Sequence, residues 1–128
     1  FVYRAITDGF VIVFEGHFKR NYIHVDDVVQ AFNLALDHNE RFRGEIFNVG
    51  LSEANISKLE LCKEIQKILP SFTFLEAALG NDPDQRNYIV SNKKIESQGF
   101  SPKVNLQEGL NELLKGLKMF DQKQFTNV

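Results

Sequence analysis

Apolar and polar positions change period several times along this chain, and each change predicts an element. Phe1 to Thr7 has helical spacing and stops at Asp8-Gly9, a turn dipeptide. Phe10-Val11-Ile12-Val13-Phe14 is β-branched and aromatic and predicts a strand that Gly16 ends, and Tyr22 to Val25 predicts a second short extended segment. Asp26-Asp27 opens a helix to about Asp37, where acidic side chains suit the positive end of the helix dipole. Val28, Val29, Phe32, Ala35 and Leu36 recur at helical spacing, and Ala31 and Leu34 are apolar too. A helix greasy on nearly all sides belongs in the core of something larger or against a partner.

The second half alternates in the same way. Glu45 to Gly50 predicts a strand and turn. Ser57 and Glu60 make a capping box for a helix with Leu61, Cys62, Ile65, Ile68 and Leu69 on one face, ending at Pro70. Phe72 to Leu75 predicts a strand, with Phe72 and Phe74 on one face, and Gly80 to Asn87 a polar turn in which Asp82 and Asp84 flank a proline. Tyr88 to Val90 is extended, Ser91 caps a short helix that Gly99 terminates, and Asn105 to Glu108 opens a last helix carrying Leu106, Leu110, Leu113, Leu114, Leu117 and Phe120. Residues 121–128 form a polar tail. Alternating helices and short strands predict an α/β or α+β architecture.

Composition narrows the function more than the fold. The chain has 128 residues, 43% hydrophobic and 25% charged, the balance of a folded domain. A net charge of −2 with scattered lysines argues against nucleic-acid binding, and no apolar run approaches the length of a membrane span. One cysteine, Cys62, forbids an internal disulfide and suits a reducing, cytoplasmic setting, and its place on an apolar helix face makes it a packing residue. The chain opens at Phe1 inside a helical pattern, which suggests a piece of a longer polypeptide.

Several chemistries lack their residues. The eight glycines stand at 9, 16, 44, 50, 80, 99, 109 and 116, so no glycine-rich dinucleotide turn and no P-loop exists. Four residues beyond the three tyrosines lie Thr7, Asp26 and Asn92, so no tyrosine–lysine pair shares a helix face; Tyr88 and Lys93 miss by one position. His17, His24 and His38 are too dispersed to ligate a metal. No catalytic, cofactor or metal residues are therefore assigned.

Two stretches remain. Arg20-Asn21-Tyr22-Ile23-His24-Val25-Asp26-Asp27-Val28 sets an arginine before an acidic helix start, and Gly80 to Tyr88 sets Arg86 in a polar loop before an extended segment. A guanidinium offers a planar fork of donors matched to phosphate, although on composition alone each arginine is more readily a surface residue. Phe14, beside Glu15-Gly16, could stack on a base or simply pack.

The order of these pieces resembles the C-terminal part of extended short-chain dehydrogenase/reductases of the nucleotide-sugar epimerase/dehydratase family. The likeness lies in Phe14-Glu15-Gly16, Arg20 to Val28, Ile46-Phe47-Asn48-Val49-Gly50, the serine-capped helix from Ser57, Arg86 to Ser91, Gly99-Phe100-Ser101-Pro102 and Leu106 to Leu110. It implies an α/β fold of helices and short strands lacking the glycine-rich Rossmann half. Residues 1–120 would be a substrate-binding region, with 26–50 packed on a cofactor domain that precedes it. By the resemblance, Arg20 and Arg86 clamp the diphosphate of a nucleotide sugar, Phe14 lies near the base and Tyr22 supports the site. NAD or NADP would serve the intact protein, with none expected on this chain alone. The isolated chain should then show no turnover. Asn21 departs from the family's aspartate, and Gly16-His17-Phe18-Lys19 from its usual turn. The alternative is a stand-alone, non-catalytic interaction module that self-associates through its apolar helix.

Overall fold

The computed structural model describes residues 1–78 and 86–119. Its elements run α1 (Val2–Thr7), β1 (Phe10–Val13), β2 (Lys19–Asn21), α2 (Val25–Asp37), α3 (Asn39–Phe42), β3 (Asn55–Ser57), α4 (Lys58–Ile68), β4 (Thr73–Glu76), α5 (Lys93–Glu96) and α6 (Leu106–Met119). A short 3-10 turn, Ser52–Ala54, leads into β3.

β1 and β4 pair in parallel, with Ile12 opposite Leu75, and β2 and β3 pair antiparallel, with Arg20 opposite Ile56. The main core follows from the apolar periodicities. Val2 and Ala5 of α1, Val11 and Val13 of β1, Leu61, Cys62 and Ile65 of α4, Phe72, and Leu110 and Leu114 of α6 are buried together. A second, smaller core joins Ala31 of α2, Ile95 of α5 and Phe100.

Local chemistry sets the helix ends. Ser57 Oγ accepts from the Glu60 N–H at 3.1 Å while the Glu60 carboxylate accepts from the Ser57 N–H at 2.7 Å, the expected capping box. Asn105 and Glu108 exchange the equivalent pair at 2.9 and 3.1 Å ahead of α6. Gly99, at φ +96°, takes the left-handed turn that closes the α5 segment.

The structure corrects four expectations. The strand near Tyr22 lies upstream at Lys19–Asn21, because β3 supplies its partner there, and Tyr22 and Ile23 carry the chain into α2. That helix begins at Val25, since the His24 ring caps it, with Nδ1 accepting from the Asp26 N–H at 3.3 Å. Residues 45–50 form no strand, because no described segment ladders with them. Asn92, not Ser91, sits at the start of α5, without a side-chain cap. The Gly80–Gln85 part of the polar loop, Phe120 and the 121–128 tail lie outside the described residues.

Two apolar surfaces are left uncovered among the described residues. Val25, Val29, Phe32 and Leu36 form one stripe along α2 and are 66%, 51%, 68% and 76% exposed. Phe10 and Ile12 project from one face of β1, beside Leu75 of β4, and Phe14 follows just past the strand. A parallel strand pair is ordinarily covered on both faces.

Candidate functional site

β2 and the segment after the polar loop come together although 66 positions separate Arg20 from Arg86. Side-chain amides stitch them. Asn87 Oδ1 accepts from the Lys19 N–H at 2.9 Å, and the Tyr88 N–H reaches the Lys19 carbonyl at 3.4 Å. One strand further on, Asn55 of β3 donates from Nδ2 to the Val90 carbonyl at 2.9 Å and accepts from its N–H at 2.8 Å. A carboxamide thus stands in for a peptide unit, and residues 87–90 lie along the β2–β3 pair without joining its ladder.

This arrangement brings Arg20 against Tyr88. The Arg20 guanidinium carbon lies 5.4 Å from the Tyr88 ring centroid, within cation–π range. Its Nη1 donates to the Lys19 carbonyl at 2.8 Å. Arg86, two residues before Tyr88, is exposed on the same segment. Tyr22, one residue past β2, is half-buried. Burial pushes its hydroxyl above the usual tyrosine range, and the nearby Arg20 charge pulls the other way.

Phe14 occupies a different place. Its ring is 38% exposed, in a depression of about 340 Å³ shared with Phe1, Arg4 and Lys58. Lys58, buried at the start of α4, donates to the Phe14 carbonyl at 2.5 Å and lies 5.2 Å from the Phe18 ring. Glu15 turns through φ +48°, and Gly16 follows where a Cβ would sit 2.5 Å from Leu59 Cγ. A larger residue at Gly16 would push the strand end and α4 apart. Tyr22 lines another cavity, about 280 Å³ and largely apolar, with Phe1, His24, Leu61, Leu106 and Leu110.

The sequence therefore located two arginine-bearing segments that the fold sets side by side, while Phe14 stands apart from them. It missed Tyr88 as the partner of Arg20, and Asn55 and Asn87 as the stitches. An asparagine two residues before a helix cap reads as turn chemistry, so nothing in the spacing marks Asn55.

Among the described residues no three metal-ligating side chains cluster. Cys62 is fully buried, and burial pushes its thiol up to about 11, so it is inert packing rather than a nucleophile. Among the described residues Gly9, Gly44 and Gly99 each turn the chain singly, and no helix start presents a glycine-rich turn. No helix among them is long and apolar enough to cross a membrane.

Residues 2–50 match the family model of the NAD dependent epimerase/dehydratase family. The chain is 30% identical over 115 residues to CDP-paratose 2-epimerase of Salmonella typhi, covering 85% of this chain and 33% of that protein. It is 28% identical over 103 residues to dTDP-D-glucose 4,6-dehydratase of Mus musculus, covering 76% and 28%. Among solved structures, UDP-glucose 4-epimerase of Thermotoga maritima, determined with UDP-glucose, superposes with a TM-score of 0.72 at 26% identity, over 92% of this chain and 38% of that one. The chain thus spans about a third of the length of the relatives it matches. Over residues 2–50 the chain matches the NAD dependent epimerase/dehydratase family model, and it has the mixed α/β fold of the corresponding part of the extended short-chain dehydrogenase/reductases.

Proposed function

We propose that this chain is the substrate-binding, C-terminal part of an NAD(P)-dependent nucleotide-sugar epimerase, dehydratase or reductase, and that it clamps the nucleotide diphosphate through Arg20 and Arg86. The observation that carries the reading is the stitching of the Arg86–Val90 segment onto β2, where Arg20 stacks on Tyr88 at 5.4 Å. Two arginines 66 positions apart, carried on segments that lie side by side, suit a diphosphate, whose charge each fork can meet in a bidentate manner. Tyr22 supports that edge. Phe14, in its separate depression, is the contact for the base.

The uncovered stripe of α2 belongs to the same reading. Val25, Val29, Phe32 and Leu36 would each gain about 1.5–3 kcal/mol on full burial, and the natural cover is the cofactor domain. That domain supplies the NAD(P) and the catalytic tyrosine and lysine, so this polypeptide by itself turns nothing over. The same stripe supports a second reading, a stand-alone interaction module that pairs through α2.

Calorimetric titration with UDP-, dTDP-, GDP- and CDP-sugars separates the two. Saturable binding that is lost in Arg20→Ala and in Arg86→Ala is the expected result and identifies the base. A folded chain that binds none of the four, yet dimerises in solution through α2, overturns the clamp in favour of the module.

A further inference from the structure

Arg20 can recognise an anion only if its guanidinium plane is held in place, because a mobile five-donor fork loses side-chain entropy on every encounter. Its contacts with Lys19 and Tyr88 restrain it. Nη1 is anchored on the Lys19 carbonyl at 2.8 Å, and the cationic carbon lies over the Tyr88 ring at 5.4 Å. The ring is itself fixed by its backbone. The Tyr88 N–H shares the Lys19 carbonyl with Arg20, and the flanking residues are tied by Asn87 to Lys19 and by Asn55 to Val90. One carbonyl therefore collects a donor from the arginine and a donor from the residue that stacks on it.

We infer that Tyr88 is a positioning residue: its ring sets the plane of the Arg20 guanidinium, and through that plane the strength with which a nucleoside diphosphate is held. The inference rests on the clamp proposed above. It assigns to Tyr88 the face of the ring and not the hydroxyl, since the guanidinium carbon lies over the ring itself. It also explains why residues 87–90 lie along β2 on asparagine side chains. The strap brings one aromatic face to one cation, and its register is set by the reciprocal Asn55–Val90 pair at 2.8 and 2.9 Å.

The test uses two readouts on the intact chain, with Tyr88→Phe and Tyr88→Leu compared against the parent protein. The first needs no ligand. The Arg20 side-chain Nε–H resonance should carry a ring-current shift that persists in Tyr88→Phe and disappears in Tyr88→Leu, while the remaining amide spectrum stays dispersed as a check on folding. The second is calorimetric titration with UDP. Tyr88→Phe should bind within about twofold of the parent and Tyr88→Leu about two- to fivefold more weakly, the range of an exposed cation–π contact. In an Arg20→Ala background, Tyr88→Leu should add no further loss.

An Arg20 resonance that does not move in Tyr88→Leu overturns the inference whatever the binding data say. So does an equal loss from Tyr88→Leu with and without Arg20. If Arg20→Ala binds UDP as the parent does, the clamp itself fails, and the ring-current result then still decides whether Tyr88 orients the arginine.

Discussion

The Asn21 carboxamide closes on both backbone groups of Leu51: Nδ2 donates to the Leu51 carbonyl at 2.7 Å, and Oδ1 accepts from the Leu51 N–H at 3.0 Å. This pair ties the end of β2 to the residues that follow the 45–50 segment. It leaves no room beside it, because a Cβ on Gly50 would fall 2.2 Å from Asn21 Oδ1 and 2.9 Å from Asn92 Oδ1. The residue that departs from the family's aspartate is thus a structural clasp that an aspartate could only half make.

Asn21→Asp should therefore destabilise the chain. A carboxylate keeps the acceptor for the Leu51 N–H but loses the donor, and turns an oxygen toward the Leu51 carbonyl. Losing this part-buried hydrogen bond and leaving its partner unsatisfied should cost about 1 kcal/mol or more. Urea denaturation should show a lower midpoint with an unchanged slope. Gly50→Ala should cost at least as much, since the clash is with the clasp itself. A wild-type midpoint in both variants would show that Asn21 and Leu51 are not coupled.

Asp27 ties the start of α2 to the segment ahead of α6. It is fully buried at the start of α2, and its carboxylate accepts from the Lys103 N–H at 2.8 Å, the Val104 N–H at 3.1 Å and Gln30 Nε2 at 3.2 Å. The helix dipole favours the negative charge at that end. Asp27→Ala strands two backbone donors and should cost about 1.5–3 kcal/mol, the range for hydrogen bonds to a charged group. Asp27→Asn keeps the volume and one acceptor oxygen and should cost less. Hydrogen exchange at Lys103 and Val104 should rise in step with the loss of stability; exchange left unchanged in Asp27→Ala would count against the anchor.

Asp26 and Asp27 show where reading the sequence succeeds and where it stops. The pair marks a helix start through the dipole, and the start is correct to one residue. Neighbours in sequence, they meet opposite environments: Asp26 is exposed and Asp27 is sealed by a loop 76 positions away. Elements with local causes are legible, as with the Ser57–Glu60 capping box, the Gly99 turn and the α6 periodicity. Elements with distant causes are legible only where a run rich in β-branched and aromatic residues marks them, as for the β1–β4 pair. β2 and β3 exist because each supplies the other's ladder, and Ile46 to Val49, though strand-like in composition, has no described neighbour to pair with. The candidate site follows the same rule. Arg20 and Arg86 carry recognisable chemistry, whereas the contact between Arg20 and Tyr88 depends on asparagine side chains that look like turn residues.

The α2 stripe gives a prediction in which stability should not change. Phe32 and Leu36 are 68% and 76% exposed and lie one turn apart. Phe32→Glu with Leu36→Lys replaces them by an i, i+4 pair in the favourable order. Because neither side chain is buried in this chain, the urea midpoint should move by no more than about 0.5 kcal/mol equivalent. Binding of an apolar dye, and any concentration-dependent association measured by light scattering, should fall. A large loss of stability would mean that the chain covers this face itself.

Acid stability should report on the capping box of α4. The Ser57 N–H and hydroxyl, helped by the charges of Lys19 and Lys63, hold the Glu60 carboxyl below its ordinary value of 4.5. A carboxyl with a depressed folded-state value contributes stability that is fully present above the unfolded value and is lost as pH falls through the folded one. The window therefore lies below 4.5. Glutamine at this position can still accept from the Ser57 N–H but cannot titrate. The difference in urea midpoint between the parent and Glu60→Gln should be constant from pH 7 down to about 5 and shrink progressively below that. Ser57→Ala should cost about 0.5–2 kcal/mol at pH 7 and remove only part of the acid dependence that Glu60 confers, because the backbone N–H at this position, the larger cause of the depressed carboxyl, is retained. A parent-to-glutamine difference that stays the same down to pH 3 would show that the Glu60 charge contributes nothing to the cap.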